Sequence, residues 1–357
     1  MPAPRSFRFA LLVGLTLAGA AFAGEPQEES AASPFLTGDF RWTVGEPVLA
    51  INPDRLPPSP EHPWVAVKDP SVVRHDGRWH LFCTIRKLKE GDGRIRIGYL
   101  SFKDWKDAPA ADWTILDLTM DYHGAPQIFF FAPQKKWYLV YQAADESRGL
   151  KYGPCYSVND RLDDPAGWTK PAPLYVVPEG QKAGLDHWVI CDESKAYHFF
   201  TALDGTMRRA ETALESFPNA GWSTPVIALK ADIFEASHTY KLKGLDKYFT
   251  IVEAQGNGRR YFKAYTADRL DGEWTGVADS RERPMVAPKN VVNQAESWAT
   301  SYSHGELIRD GFDQRLEVDP ADFRVLFQGA NDEEYRGSGN YGQIPWRLGL
   351  LDPVPAP

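Results

Sequence analysis

Short apolar runs rich in aromatic residues recur along the chain, separated by segments rich in Gly, Asp, Asn and Pro. Runs of this length, bounded by turn-forming residues, are typical of β-strands rather than helices. Five of the runs are alike and cover residues 79–83, 137–141, 197–201, 248–252 and 323–327. We predict that each is a buried strand.

Each run lies inside a larger repeated unit. A strand candidate precedes it, at residues 71–73, 128–131, 188–190, 239–242 and 305–308, and another follows it, at residues 95–99, 153–157, 207–210, 261–265 and 346–350. Four units then reach a tryptophan that suits an outer, fourth strand: Trp105, Trp168, Trp222 and Trp274. Because one such unit cannot bury both of its faces, the recurrence predicts an all-β protein, a five-bladed β-propeller around a central channel. A β-sandwich is the alternative, since it also uses many short strands.

The beginning of the chain has a different pattern. Arg5 and Arg8 precede an apolar run over residues 9–17, and small residues follow as far as Ala23. This order predicts a secretory signal peptide over residues 1–23, because the apolar run is too short to span a membrane and no stop-transfer pattern follows. We expect a secreted protein, extracellular or periplasmic, with a flexible tail over residues 24–37 and the propeller over residues 38–357.

Charge and cysteine content narrow the possible partners. The formal net charge is −8 at pH 7, and the basic residues are scattered rather than clustered. We therefore expect a monomer that binds neither nucleic acid nor membranes.

Three cysteines, Cys83, Cys155 and Cys191, allow at most one internal disulfide. Their apolar surroundings favour buried thiols, and the sequence leaves their pairing open.

Acidic residues occupy one equivalent position in three of the five units. Asp69, Asp186 and Glu235 hold this position in the first, third and fourth units, and His304 holds it in the fifth. The innermost strand of a propeller blade begins at the channel, so we expect these side chains to converge at the channel mouth. A lone acid is ordinarily a solvated surface group, but Asp69 and Glu235 lie in apolar sequence where burial must be justified by pairing or function.

Converging carboxyl groups suit the hydrolysis of a glycosidic bond. That reaction needs one protonated carboxyl group for the leaving oxygen and one ionised carboxylate to activate water or attack the sugar. A third carboxylate raises the pKa of the acid, because neighbouring like charges do not ionise together cheaply.

Seven motifs, in order along the chain, resemble the signatures of glycoside hydrolase family 62, and the resemblance runs from about residue 40 to residue 351. They are Lys68-Asp69-Pro70-Ser71, Ala125-Pro126-Gln127 with Phe131-Ala132-Pro133-Gln134, Trp188-Val189-Ile190-Cys191-Asp192, Phe234-Glu235-Ala236-Ser237, Gly258-Arg259-Arg260-Tyr261-Phe262, Ser303-His304-Gly305-Glu306 and Gln328-Gly329. The resemblance implies an exo-acting, inverting α-L-arabinofuranosidase. Such an enzyme removes α-1,2- or α-1,3-linked arabinofuranosyl side chains from arabinoxylan or arabinoxylo-oligosaccharides.

The resemblance also implies catalytic roles. Asp69 matches the general base that activates water, Glu235 the general acid, and Asp186 the carboxyl group that orients the acid and modulates its pKa. Asp192 is the rival for the third role, but it lies at the far end of its strand, where a turn residue is expected.

Further residues match substrate contacts of the family. Lys68 resembles a lysine that contacts arabinose, and Tyr341 a tyrosine that lines the xylan groove; a surface lysine and a core tyrosine are the alternatives. Gln127 is also expected to bind substrate. Arg259 or Arg260 could bind the sugar or Glu235, but alternation along a strand lets only one of them face the pocket.

His304 resembles a channel histidine beside a bound calcium ion (Ca²⁺). Calcium prefers oxygen ligands, so an imidazole would be linked through water or would join a mixed set of ligands. A core histidine with satisfied hydrogen bonds is the alternative.

Two other functions stay open. A family 43-like β-xylosidase or arabinanase would share the propeller and the three carboxyl groups, and the Phe-Glu-Ala-Ser and Ser-His-Gly-Glu motifs argue against it. A propeller that binds polysaccharide without cleaving it is the second alternative, and the presence of all three acids argues against that.

Overall fold

The computed structural model describes residue 1 and residues 33–57, 63–88, 95–292 and 297–354. The predicted signal peptide beyond residue 1, and residues 24–32 of the predicted tail, lie outside these ranges. The strands within them are, in chain order, β1 (Trp42–Val44), β2 (Trp64–His75), β3 (Arg78–Lys87), β4 (Ile95–Phe102), β5 (Thr114–Ile115), β6 (His123–Phe131), β7 (Lys136–Asp145), β8 (Leu150–Asn159), β9 (Ala172–Pro173), β10 (Leu185–Cys191), β11 (Lys195–Thr201), β12 (Thr206–Ala213), β13 (Val226–Lys230), β14 (Glu235–Leu242), β15 (Lys247–Gly256), β16 (Arg259–Ala267), β17 (Thr275–Ala278), β18 (Ser301–Leu307), β19 (Glu317–Val318), β20 (Val325–Ala330) and β21 (Arg347–Pro353).

These strands form five sheets, which are the five blades of a β-propeller. From the channel outwards, the blades are β2-β3-β4-β5, β6-β7-β8-β9, β10-β11-β12-β13, β14-β15-β16-β17 and β18-β20-β21-β1. The predicted fold is confirmed, and the predicted strands of each unit fall in the three inner strands of its blade. The sandwich alternative is wrong.

Tight turns join several of these strands. Asp76-Gly77 connects β2 to β3, and Asn257-Gly258 connects β15 to β16; all four residues have positive φ. Asp-Gly and Asn-Gly favour the two-residue turn whose twist matches that of an antiparallel hairpin. The local sequence therefore fixes the register in these two hairpins.

The prediction that the four tryptophans lie in the outer strands is wrong. Each of them precedes the outer strand of its blade. Trp105 opens a 3₁₀ segment (Trp105–Ala110) before β5, and Trp274 directly precedes β17. Trp168 packs edge-to-face on Phe82 of the preceding blade, and Trp274 packs in the same way on Phe199. These tryptophans fill the space between blades, where a large apolar side chain removes the most surface from water.

The N-terminal part of the described chain closes the ring. Strand β1 pairs with β21, so it supplies the outermost strand of the last blade. Ahead of it, the short helix α1 (Pro34–Thr37) places Phe35 in the core, 4.8 Å from the Phe249 ring and 4.7 Å from the Phe323 ring. Residues 33–37, which we predict as part of a flexible tail, therefore belong to the propeller, because Phe35 anchors them in its core.

The chain between β18 and β20 crosses one end of the channel. Phe312, Gln314 and Leu316 accept backbone hydrogen bonds from β6, β10 and β14 in turn, at 2.8, 2.8 and 3.2 Å. Strand β19 then pairs in parallel with β14. These contacts lie near the C-terminal ends of the innermost strands, so the opposite end of the channel, where the candidate acids lie, is a pocket rather than a pore.

The remaining regular segments are short. Besides α1, they are helix α2 (Asp332–Gly337) and the 3₁₀ segments Ala132–Gln134, Glu146–Arg148, Leu214–Ser216, Pro288–Asn290 and Tyr341–Gln343. Cys83, Cys155 and Cys191 are all buried and unpaired, as their surroundings favoured. No helix in the described ranges is long and apolar enough to cross a membrane.

Candidate active site

Each innermost strand is irregular at the same place, close to the channel mouth. The pairing with the second strand shifts register between Lys68 and Ser71 in the first blade, and at the equivalent point in the other four. One non-glycine residue with positive φ lies in each irregularity: Asp69 (47°), Ala125 (51°), Asp186 (55°), Ala236 (54°) and His304 (44°). Such bulges re-aim side chains and are common next to active sites. Here they turn the side chains of three blades towards one axis.

A ring of hydrogen bonds between blades holds these bulges in place. In four blades, the N–H of the bulge residue donates to a side chain on the second strand of the preceding blade. The pairs are Asp69 with Gln328 (2.8 Å), Ala125 with Thr84 (2.8 Å), Asp186 with Gln142 (2.7 Å) and His304 with Glu253 (2.8 Å). In the remaining blade, the N–H of Ala236 donates to Asp186 Oδ2 at 2.9 Å, and the equivalent Thr201 hydroxyl is buried without a hydrogen-bond partner in the described structure.

Asp69 and Asp186 meet at His304. The Nδ1 atom of His304 lies 3.4 Å from Asp69 Oδ1 and 3.8 Å from Asp186 Oδ1. The Ala236 N–H that binds Asp186 belongs to the residue after Glu235, so the third acid starts beside the other two. The three acids therefore lie together, but Glu235 does not hold the position equivalent to Asp69 and Asp186 that we predict for it from the sequence; in its blade that position is Ala236.

The surroundings of Asp69 and Asp186 shift the pKa values of the two carboxyl groups in opposite directions. Burial raises the pKa of Asp69, but the nearby charges of Lys68 and His304 and a hydrogen bond from Thr84 outweigh it, and the net pKa lies below its usual value. For Asp186, burial and the charges of Glu235 and Asp69 all raise the pKa, which lies well above its usual value. The pKa values of these two neighbouring carboxyl groups are thus shifted in opposite directions, an arrangement that suits acid–base chemistry.

Glu235 is bound by Arg260. The guanidinium Nη1 of Arg260 donates to Glu235 Oε1, and it also donates to Glu253 Oε1 at 2.7 Å and Ser303 Oγ at 3.1 Å. Arg259 instead pairs with Asp332 at the start of α2, on the other face of the strand. The structure therefore settles the choice that the sequence left open, and Arg260 is the arginine that faces the pocket.

Lys68 and Tyr341 lie against each other beside the pocket. Lys68 is buried, and its Nζ lies 3.4 Å from Asp69 Oδ1 and 5.0 Å from the centre of the Tyr341 ring. Burial lowers the pKa of Lys68, but Asp69 and Tyr341 raise it by more. Tyr341 is 37% exposed, so it is not a core tyrosine, and Lys68 is not a surface lysine. Beside them, a cavity of about 480 Å³ is lined by Glu235, Arg260 and Tyr341 among others.

Gln127 does not reach this pocket, and its predicted role in binding substrate is wrong. Its side chain has no exposed surface. Its amide nitrogen donates to the Val189 carbonyl and its amide oxygen accepts from the Val189 N–H, both at 2.7 Å. Gln127 therefore joins the second blade to the third in the manner of an extra strand pair.

The surroundings of His304 do not fit a calcium site built from protein side chains. Calcium takes roughly six to eight oxygen ligands. In the described part of the chain, no group of three or more His, Cys, Asp and Glu side chains could hold a metal ion. The Nδ1 atom of His304 faces Asp69 and Asp186 instead. Calcium stays a prediction, in which water would supply most of the ligands.

Asp192 is a turn residue, as the sequence indicated. Its Oδ1 accepts from the N–H of Ser194 at 2.8 Å and from that of Lys195 at 2.7 Å, which closes the turn between β10 and β11.

Three residues of the pocket region were missed by sequence reasoning. Glu253 is fully buried beside Arg260. The rings of Tyr122 and Tyr152 pack edge-to-face, with their centres 5.4 Å apart. Burial raises the pKa of Tyr152, and the nearby charges of Asp186 and Asp69 raise it further, so these rings lie near the acids. The available signal for Glu253 was its position directly after the apolar run 248–252, where a charged residue is unexpected. No comparable signal marked the two tyrosines.

The fold and the site together define a glycoside hydrolase: a propeller channel closed at one end, with three carboxyl groups at its mouth beside a pocket of sugar size. The model of the family described as "Glycosyl hydrolase family 62" matches residues 54–352. The chain belongs to glycosyl hydrolase family 62, as its ordered motifs predicted.

Individual relatives agree with this assignment. The chain is 35% identical over 324 residues to Alpha-L-arabinofuranosidase C of Cellvibrio japonicus (strain Ueda107), with 88% of this chain and 47% of that protein covered, so it spans about half the length of this curated relative. The catalytic domain of the Coprinopsis cinerea GH62 alpha-L-arabinofuranosidase superposes with a TM-score of 0.79 at 36% identity, covering 89% of this chain and 98% of that one. A GH62 hydrolase in complex with xylotriose superposes with a TM-score of 0.77 at 31% identity, covering 88% and 98%.

Proposed function

We propose that the protein is an exo-acting, inverting α-L-arabinofuranosidase that removes single α-1,2- or α-1,3-linked arabinofuranosyl side chains from arabinoxylan. The observation that carries the proposal is the meeting of Asp69 and Asp186 at His304, whose Nδ1 atom lies 3.4 and 3.8 Å from their carboxyl oxygens, beside Glu235 at the mouth of one closed channel. The pKa of Asp69 is lowered there and that of Asp186 is raised. The names of two relatives support the arabinose specificity, and the xylotriose complex of a third supports a xylan-type main chain.

In the proposed reaction, Asp69 is the general base. Lys68, His304 and the Thr84 hydroxyl surround its carboxylate and favour the ionised form. Asp69 accepts a proton from a water molecule whose oxygen attacks the anomeric carbon of arabinose. Because water attacks from the side opposite the leaving group, one displacement inverts the configuration.

Glu235 is the proposed general acid. It gives its proton to the glycosidic oxygen as the bond to the anomeric carbon breaks, and the xylose hydroxyl leaves neutral. Asp186 is held towards Glu235 through the Ala236 N–H, and burial together with the charge of Glu235 raises the pKa of Asp186. The cavity of about 480 Å³ beside Glu235 has room for a sugar ring, and the exposed face of Tyr341 in its lining is available to stack on a sugar of the main chain.

Incubation with cereal arabinoxylan, followed by analysis of the released sugars, tests the proposal. Free arabinose without xylo-oligosaccharides is the expected result. Release of xylose or xylo-oligosaccharides would point to a xylan-cleaving activity instead. Binding to the polymer with no sugar released would make the protein a non-catalytic propeller.

The remaining predictions concern the protein outside its site. We propose that residues 1–23 direct secretion and that the mature protein is a monomer that binds neither nucleic acid nor membranes. N-terminal sequencing of exported protein tests the first point, with Gly24 as the expected first residue. Light scattering of the purified protein tests the second.

A further inference from the structure

The second strands of the five blades carry a polar residue at one equivalent position. Thr84, Gln142, Thr201, Glu253 and Gln328 each stand opposite the residue that opens the bulge of the innermost strand. Four of these five side chains are uncharged. Glu253 is the exception, and it has no exposed surface.

The shared task of this position does not need a charge. Thr84, Gln142 and Gln328 accept the N–H of the next bulge residue with a neutral oxygen, at 2.7–2.8 Å. Glu253 does the same with Oε2, which accepts from the His304 N–H at 2.8 Å and from Ser303 Oγ at 2.7 Å. Burying a carboxylate costs several kcal/mol more than burying an amide, so its charge must be compensated by a different partner.

That partner is Arg260. The second oxygen of Glu253, Oε1, lies 2.7 Å from Arg260 Nη1, and the same nitrogen binds Glu235. Arg260 is itself buried, and its other close neighbours are mostly aromatic rings, with Phe234 and Tyr341 both at 4.8 Å. One cation is therefore divided between two carboxyl groups, and a single proton on the pair makes the cluster neutral.

The two carboxyl groups differ in access. The side chain of Glu235 is 15% exposed at the pocket, whereas that of Glu253 is enclosed. A proton on Glu235 can reach a substrate, and a proton on Glu253 cannot. Burial raises the pKa of Glu253 to about 7 against the opposing charge of Arg260, so the cluster works for catalysis when Glu253 has lost its proton and its negative charge balances Arg260.

We propose that Glu253 is a positioning residue for proton delivery: it holds the charge of Arg260 and so leaves Glu235 able to carry the proton for the departing xylose oxygen. This inference rests on the proposed role of Glu235 as the acid. Glu253 takes no part in bond making: the proton moves from Glu235 to the glycosidic oxygen, which keeps the electron pair of the broken bond, while water adds to the anomeric carbon and loses its proton to Asp69.

Glu253→Gln tests this role. The amide oxygen can keep the bonds to Ser303 and His304, as glutamine does in the second and fifth blades, while the amide nitrogen cannot accept from Arg260. Arg260 is then left with Glu235 alone, which favours an ionised acid. The variant is assayed on an arabinoxylo-oligosaccharide, whose leaving hydroxyl needs a proton, and on 4-nitrophenyl α-L-arabinofuranoside, whose nitrophenolate leaves without one.

We expect kcat on the oligosaccharide to fall by roughly 10- to 100-fold and kcat on the nitrophenyl substrate by less than about threefold, because proton donation contributes only where the leaving group is poor. KM should change little on either substrate. Equal losses on both substrates, or no loss on either, would overturn the proposal. Failure of E253Q to fold would overturn it as well, since a neutral side chain would then not suffice at this position.

Glu306→Gln is the matched control. Glu306 is also fully buried and also paired with an arginine, Arg309, at 2.7 Å, but that pair lies further along the channel and hydrogen-bonds to backbone carbonyls of the first two blades. Any effect of E306Q should be the same on both substrates; a leaving-group dependence like that of E253Q would contradict the specific role of Glu253. If the wild-type protein releases no arabinose from either substrate, the proposed function fails rather than this inference.

Discussion

Two neighbouring arginines on β16 differ only in the direction of their side chains. Arg260 points into the pocket and is shared between Glu235 and Glu253, whereas Arg259 points outwards to Asp332. Alternation along a strand makes this difference inevitable, but the choice of face depends on the register of β16 against β15.

The pair offers a direct test at the residue scale. Arg260→Lys should lower kcat/KM on arabinoxylan by roughly 10- to 100-fold, because a hydrogen bond to a charged group contributes about 1.5–3 kcal/mol and lysine cannot reproduce the shared geometry. Arg259→Lys should change kcat/KM by less than about twofold, since it alters a partly exposed ion pair. Similar losses in the two variants would contradict the assignment of Arg260 to the pocket.

Asp69 gives a second test. Asp69→Asn should lower kcat by roughly 10²- to 10⁴-fold, because it removes the base but keeps the shape of the side chain. Asp192→Asn is the control, because it makes the same change in an aspartate that closes a turn. This variant should retain its activity. Thermal unfolding of both variants should stay cooperative, and substantial activity in D69N would assign the base elsewhere.

Single residues show where sequence reasoning succeeds. Asp69 and Asp186 could be selected because a repeated unit puts equivalent positions on one axis. Glu235, expected at the same position, lies one residue before it, since Ala236 is the bulge residue of the fourth blade. Gln127 was misassigned because its partner, Val189, lies on the next blade and 62 positions away in the chain. No local pattern distinguishes an amide that binds a sugar from one that binds a neighbouring backbone.

At the scale of strands, the positive-φ residue in each innermost strand is the feature that builds the site. A left-handed conformation costs on the order of 1–3 kcal/mol for a non-glycine residue, so it persists only where the surroundings impose it. The inter-blade hydrogen bonds to Asp69, Ala125, Asp186 and His304 supply that constraint. Periodicity predicted the strands but not the bulges, because a bulge depends on the neighbouring blade.

The short helix α1 provides a test at the same scale. Phe35→Ala should lower the free energy of unfolding by about 3–5 kcal/mol, because it empties a core site between aromatic rings. Leu36→Ala, next to it and 47% exposed, should change it by less than about 0.5 kcal/mol. Denaturant unfolding followed by fluorescence measures both. If F35A leaves the free energy of unfolding unchanged, the prediction that this segment is a flexible tail holds instead.

Across the whole molecule, two connections turn five sheets into a closed pocket. Strand β1 completes the last blade, and the segment that ends in β19 crosses the far end of the channel. In the described ranges, residues 312–318 cover the end of the channel opposite the acids, so the acids lie at its uncovered end. Asp69 and Glu235, the proposed base and acid, belong to the first and fourth blades, so their separation is fixed by the ring rather than by a loop.

The stereochemical outcome tests this arrangement. Proton NMR in the first minutes of hydrolysis should show β-arabinofuranose, the inverted product, before mutarotation mixes the anomers. The rate of mutarotation, measured with free arabinose in the same buffer, is the control. An initial α product would contradict a single displacement with Asp69 as base.

The amino-acid sequence by itself determined the five units, the strands within them and the family, and it predicted the three acids, because each of these follows from a repeated local pattern or an ordered motif. Only the tertiary structure decided that Arg260 rather than Arg259 faces the pocket, that Gln127 joins two blades, that Phe35 belongs to the core and that Glu253 lies against the acid. These features depend on which side chains meet across blades. Such contacts are set by the closure of the ring, to which residues far apart in the chain contribute equally.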